Sequence, residues 1–400
     1  MSSVDDTKLS LKVMINKQKS KVLFAEANSF VADALLGFLT LPLAKILRIL
    51  IYHQIFYGNK APVIGSLTFA LLNLLVNRNY LSKNDDDKSL YMGSMSLAVE
   101  FWNLSINVYS KEDHVCSDSN CPHSGDTKTL NNLGISDIHG AEPKTLNLGF
   151  HDVVNLLKLS LISSTPLTDL VFKNSEINSI SPKIEPIHIV RGNINHAAKI
   201  ILKVSLQKST NKFLFGEAKV DFVEFLFSML ALPLAEAVRR LDGNIPFKNI
   251  DNLYTSVADF IDEEYFRDYD TKTSLTNPKI DRGYFSLKSI VQTDGNHESK
   301  VFIVNDNLTV EPFSIATMVS KLNLLEISLS DVKEIEIHIG AKEALEILRA
   351  SLISETALTD ALITPMLNRL LNPSPETEMP LSATEFAAVR AKACVAGTIH

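Results

Sequence analysis

The sequence predicts an α+β protein made of two homologous tandem domains, each a β-hairpin or small sheet packed against helices. Two observations predict it. LKVMINKQKSKVLFAEANSFVADALLGFLTLPLAKILRIL, Leu11–Leu50, returns without a gap as LKVSLQKSTNKFLFGEAKVDFVEFLFSMLALPLAEAVRRL, Leu202–Leu241, with 17 of 40 positions identical. Gly149–Leu170 returns as Gly340–Ala361 with 10 of 22 identical, and both pairs are offset by 191 residues. Such internal repetition defines architecture more firmly than any short motif. The first repeat domain is expected over residues 9–173, a linker with the start of the second hairpin over 174–200, and the second repeat domain over 201–371. Residues 372–400, rich in Pro, Ser and Glu at their start, are expected to form a partly disordered tail.

Each copy opens on a hairpin. Leu11–Ile15 and Lys21–Ala25 are short β-rich runs around the polar turn Asn16–Ser20, and Leu202–Leu206 and Lys212–Gly216 flank Gln207–Asn211 in the same way. A helix follows, with Asn28 as N-cap in one copy and Asp221 in the other, each offering a side-chain oxygen to an early helical N–H. Val31, Leu35, Phe38 and Leu39 fall on one face, as do Phe222, Leu226, Met229 and Leu230. Pro42 and Pro233 then end or kink these helices, because proline lacks the N–H that a helix interior needs. Leu41-Pro42-Leu43 and Leu232-Pro233-Leu234 read as buried corners.

Downstream, Ile250–Phe266 reads as a helix, and the more apolar Ser66–Val76 occupies the equivalent place. The copies then diverge. The first has an Asp-rich stretch (Asn84–Lys88), an apolar segment around Phe101-Trp102 and a Cys/His stretch (His114–His123). The second has VFIVNDNLTVEP, a strand, a turn at Asn305-Asp306-Asn307 and a strand, before a helix from about Phe313 to Leu324. They reconverge on a helix opened by Gly149 or Gly340, a break, and a second helix. Thr165 followed by Pro166 suits an N-cap and first helical position.

Composition is that of a globular protein: 46% hydrophobic and 21% charged. The net charge of −7 offers no general attraction to nucleic acid or to an anionic membrane. Three cysteines make no disulfide framework and fit a reducing compartment. The opening MSSVDDTKLSLK is neither a signal peptide nor an Arg-rich transit peptide. The longest apolar run, Ala34–Ala44, is too short to span a bilayer and is broken by Pro42. A cytoplasmic protein is expected, with the nucleus as the alternative compartment.

No nucleotide-binding glycine fingerprint, phosphate-binding loop, His-Glu-x-x-His or Gly-x-Ser-x-Gly occurs. Catalytic residues are unassigned and no cofactor is expected. The one metal candidate is His114-Val-Cys116-Ser-Asp-Ser-Asn-Cys121-Pro-His123, four zinc-capable side chains within ten residues. Its spacing is awkward, since residues two apart must both turn inward; the competing reading is an exposed polar loop with two inert thiols. Glu26/Glu217, Arg48/Arg239 and Asp169/Asp360 persist in both copies. They suit either a duplicated carboxylate–guanidinium site or helix-end and first-turn electrostatics, and the latter is much the commoner arrangement.

The hairpin runs LKVMINKQKSKVLFAEA and LKVSLQKSTNKFLFGEA, the Leu-Pro-Leu helices, FIVNDNLTVEP and ALEILRASLISETALTDALI together resemble the plant domain-of-unknown-function-674 family. The resemblance covers most of residues 9–370. It implies a flowering-plant source and two tandem copies, and it implies no activity. It also implies a first-half cysteine-rich stretch ending like Cys-Pro-x-Cys; here that place reads Cys121-Pro122-His123-Ser124, with serine for the last cysteine.

Two functions follow as expectations. One is a non-catalytic scaffold or binding protein holding a protein or a small ligand; duplication without duplicated reactive residues favours it. The other is an enzyme of plant specialised metabolism acting on a hydrophobic small molecule, its pocket lined by Ser66–Val76 and Leu90–Val108.

Overall fold

The structure is a computed structural model that describes residues 9–57, 65–76, 138–173, 200–242, 244–260, 269–278 and 301–371. The first repeat contributes β1 (Leu9–Asn16), β2 (Lys21–Ala27), α1 (Ser29–Thr40), α2 (Leu43–Tyr57), α3 (Gly65–Val76), β3 (Ala141–Leu148), α4 (Phe150–Ile162) and α5 (Pro166–Phe172). The second contributes β4 (Ile200–Gln207), β5 (Phe213–Lys219), α6 (Val220–Leu230), α7 (Leu234–Leu241) and α8 (Lys248–Thr255), which continues as a π-helical turn. It goes on through α9 (Tyr269–Thr276), β6 (Val301–Val304), β7 (Val310–Pro312), α10 (Ile315–Leu324), β8 (Val332–Ile339), α11 (Ala341–Ile353) and α12 (Thr364–Leu371). This is the expected mixture of sheet and helix, twice over.

The hairpins are the same object. Leu11 faces Ala27 in one and Leu202 faces Ala218 in the other, and each ladder slips at the same place, Met14/Ile15 or Ser205/Leu206. Ser20 and Asn211 hold matching left-handed turn positions, at φ 45° and 59°. Leu9, Leu11, Val13 and Ile15 alternate inward along β1, as do Leu202, Val204 and Leu206 along β4, which is the period of a half-buried strand.

The chain forms two compact units, and each draws on both repeats. Unit one is Met1–Pro62, Lys83–Lys183 and Leu230–Phe285; unit two is Val63–Ser82, Ile184–Met229 and Ser286–His400. Unit one therefore takes α7, α8 and α9 from the second repeat, and unit two takes α3 from the first.

In unit one the sheet order is β2-β1-β3. Helix α1 packs against β1 and β2 and against α7, α8 and α9. The Leu-Pro-Leu corners meet here. Pro42 and Pro233 face one another as an antiparallel bridge, with Leu43 donating to the Leu232 carbonyl and Leu234 to the Leu41 carbonyl, both at 2.9 Å. In this pair type the facing residues make no bond of their own, so a missing proline N–H costs nothing. All four leucines are buried. Helix α4 packs against α2, α5 and α8. Asn249 of α8 donates through Nδ2 to the Ser163 carbonyl (2.6 Å) and the Ser160 carbonyl (3.3 Å), covering the carbonyl end of α4 that a helix leaves without internal partners.

Unit two repeats that arrangement with the repeats reversed. Its sheet order is β7-β6-β5-β4-β8, and α11 packs against α3. Ser66, at the start of α3, donates to the Ser354 carbonyl from both its N–H and its Oγ at 2.6 Å. Ser354 ends α11 as Ser163 ends α4. Gly65 makes the approach feasible: its φ is +45°, and a Cβ there would stand 2.4 Å from the Ser351 carbonyl oxygen. Helix α3 thus packs into the core of unit two, with Leu67, Ala70 and Leu71 buried. Leu214, Phe215, Ile303 and Leu322 form a further cluster between the sheet and α10.

Candidate functional site

The polar positions kept in both copies are occupied by their own surroundings. Asp169 accepts from Ser163 Oγ, while that oxygen accepts from the Thr165 N–H at 2.9 Å. Asp360 accepts from Ser354 Oγ, which accepts from the Thr356 N–H at 2.9 Å. Both aspartates therefore lock the break between two helices, in agreement with a first-turn structural role. Thr165 is the N-cap of α5 and Pro166 its first residue, as the sequence predicts.

Three local expectations need correction. Glu26 and Glu217 do not sit at helix starts; they are strand residues facing Lys12 and Lys203 across the ladder, because β2 runs two residues and β5 three residues further than the apolar runs suggest. Burial, and then the nearby Glu334 carboxylate, push the Glu217 carboxyl up. Arg48 lies in the interior of α2 rather than near its end. Asp221 is not the cap of α6, which begins one residue earlier; its Oδ1 accepts from the Phe222 N–H at 2.8 Å. Asn28, by contrast, caps α1 as expected, accepting from the Val31 N–H at 3.0 Å.

Arg239 pairs with a residue the duplication does not preserve. Its Nε and Nη2 hold the two oxygens of Glu236 at 2.8 Å, and Arg240 Nε adds a third bond at 2.6 Å. Lys45 stands at the corresponding place of the first repeat, so no duplicated carboxylate–guanidinium site is built. Burial raises the Glu236 carboxyl, but the two arginines outweigh it and hold it below the usual carboxylate range.

A dense polar cluster surrounds the β6–β7 turn in unit two. Asp306 accepts from the Thr359 N–H (2.8 Å) and hydroxyl (2.6 Å), and burial pushes its carboxyl up despite those bonds. Asn305 donates to Thr309 Oγ1 and Glu311, and Lys321 donates to Asn305 Oδ1 and pairs with Glu311 at 2.7 Å. These bonds all run within the chain itself. The cluster pins the turn onto the α11–α12 break and onto α10.

His114, Cys116, Cys121 and His123 lie outside the described residues, as do Asn84–Lys88, Leu90–Val108 and the tail 372–400. Among the described residues no three His, Cys, Asp or Glu gather as a metal site. No helix among them is long and apolar enough to cross a membrane.

The family model described as Protein of unknown function (DUF674) matches residues 5–68, 119–298 and 292–391. The chain belongs to the DUF674 family. No curated protein and no solved structure matches it.

Two surfaces of this DUF674 chain were not anticipated from its sequence. Helix α10 and the turn after it expose large apolar side chains, with Ile315 at 71%, Leu324 at 84% and Leu329 at 66% exposure. The second is the outer edge of β2. Its Val22 N–H is taken by Thr168 Oγ1 at 3.1 Å, whereas the matching Thr359 of unit two is taken by Asp306. Leu324 and Leu325 had a sequence signal, the apolar-rich run Leu322–Ile327 that crosses the end of α10.

Proposed function

We propose that this is a non-catalytic plant scaffold or binding protein whose partner is another protein, acting in the cytoplasm and binding neither nucleic acid nor membrane. One observation carries the reading. Ile315, Val319, Leu324, Leu325 and Leu329 are exposed along one short stretch of unit two, and large apolar side chains left in water along one stretch support a docking role. The polar residues kept in both copies support it from the other side, since local structural bonds account for Asp169, Asp360 and Arg239.

The alternative, an enzyme acting on a hydrophobic small molecule, is the less favoured reading, with α3, one of its two expected pocket walls, packed against α11. The test compares parent protein with an Ile315→Asp/Leu324→Asp variant. A defined protein retained from plant extract by the parent, shown to bind it directly after purification, and lost with the variant supports the proposal. Native mass spectrometry of tissue-purified protein showing a retained small molecule, with both forms equally empty of protein partners, overturns it.

A further inference from the structure

The two hairpins differ in what covers their outer edge. In unit two β5 is an inner strand: β6 runs antiparallel to it, setting Val304 against Gly216, Ile303 against Glu217 and Phe302 against Ala218. The matching positions of β2 are Ala25, Glu26 and Ala27, and among the described residues no strand pairs with their outer side. Glu26 and Ala27 are exposed. The opposite end of β2 is closed, because α5 packs against it and Thr168 takes the Val22 N–H. Unpaired main chain at a sheet edge is a template for another strand; here the stretch left open among the described residues is short and bounded.

We propose that Ala25–Ala27 is a strand-addition site for a partner protein that contributes an apolar extended segment leading into a polar turn, of the kind VFIVNDNLTVEP forms at residues 301–312. In strand addition the main-chain bonds give affinity and alternate side chains give selectivity. The internal duplicate supplies the template for the fit. Alanine in place of Gly216 is no obstacle, since a Cβ there would stand 3.6 Å from the Val304 carbonyl oxygen, an ordinary contact. The residue opposite Glu26 takes the place of Ile303, so apolar or basic side chains suit it and an acidic one does not.

A second copy of this chain is the poorer occupant. Two such edges meeting antiparallel over Ala25–Ala27 set Glu26 against Glu26, and β6 is already committed, with Ile303 and Val304 buried in its own sheet. The site is distinct from the α10 surface and does not rest on it.

The experiment adds a synthetic peptide of residues 301–313 to the full-length chain and reads amide hydrogen exchange. The expected result is slowed exchange at Ala25–Ala27. Of two peptides N-methylated on alternate residues, one should lose binding and the other keep it, because only alternate amides face the neighbouring strand. A peptide carrying Ile303→Glu should bind about fivefold more weakly, and a Glu26→Lys protein should restore it. The Ile315→Asp/Leu324→Asp variant should bind the peptide as the parent does. No slowing up to the peptide's solubility limit, slowing at β5 instead, or equal tolerance of both methylation patterns overturns the proposal.

Discussion

Leu43 and Leu232 belong to different repeats, yet the N–H of Leu43 donates to the carbonyl of Leu232 at 2.9 Å. Leu234 returns the bond to Leu41, so the two Leu-Pro-Leu corners clasp each other about Pro42 and Pro233. Each proline stops its helix and leaves its neighbours' backbone groups free for a partner, and the partner is the other proline's neighbours.

Leu43 is 2% exposed and Leu234 is fully buried. Truncating either to alanine is expected to cost about 2–5 kcal/mol, from lost transfer energy and the cavity left behind. Thermal melts should fall by roughly 2–4 °C per kcal/mol. Variants that melt within about a degree of the parent would show that the corners are not part of the core.

Because unit one contains α7, α8 and α9 of the second repeat, neither half of the chain carries a complete unit. Residues 1–191 and 192–400 expressed separately are expected to lack a cooperative melt. Co-expressed, with a tag on one half only, they are expected to co-purify. Two halves that each melt sharply alone and ignore one another would contradict the interleaved arrangement.

Gly65→Ala should destabilise strongly. The left-handed backbone alone costs about 1–3 kcal/mol for alanine, and its Cβ would also press on the main chain of Ser351 and Ile353. Gly140→Ala is the control: φ is +72° there but nothing lies within 4 Å of the added carbon. Equal losses of melting temperature in the two variants would mean that the α3–α11 approach is not the cause.

Asp306 and Glu236 should give pH dependences of opposite sign. Burial raises the Asp306 carboxyl, so the folded state takes up its proton more readily than the unfolded chain. The parent should therefore gain stability relative to Asp306→Asn as pH falls through the carboxylate range. Melts of both proteins from neutral pH downward measure it; a difference independent of pH would refute the assignment.

The Glu236 carboxyl is held down by Arg239 and Arg240 against the pull of burial. Its contribution is present at neutral pH and is lost as pH falls through the lowered value. Glu236→Gln is expected to cost about 1–2 kcal/mol at neutral pH, modest because both arginines are nearly half exposed. Chemical denaturation at neutral and acid pH should show the gap closing; a gap that widens in acid would reverse the argument.

The gapless self-match made the hairpins, the capped α1 and the Leu-Pro-Leu corners legible, because each rests on local signals that both copies keep. Strand β3 was hidden: AEPKTLNL has little alternation and a proline, and only its correspondence to β8, one repeat-length along the sequence, betrays it. β8 itself, VKEIEIHI, alternates plainly. The caps on α4 and α11 were not legible at all. Asn249 serves Ser163 and Ser66 serves Ser354, and nothing within one repeat says that its helix end will be covered by a residue of the other. The outer edge of β2 was unreadable for the same reason: its pairing depends on which other segments reach it, not on the strand's own residues, and among the described residues no strand does.

The reciprocal covering of α4 and α11 bears on how such a chain arises. A single repeat has a helix end that only another repeat can cover, so a lone ancestor bearing these contacts would have met a twin and traded α3-like helices with it. Joining the twins turns a concentration-dependent encounter into an intramolecular step. It also releases each twin from matching the other. Thr168 and Thr359 record that freedom: one shields a strand edge, the other grips a turn.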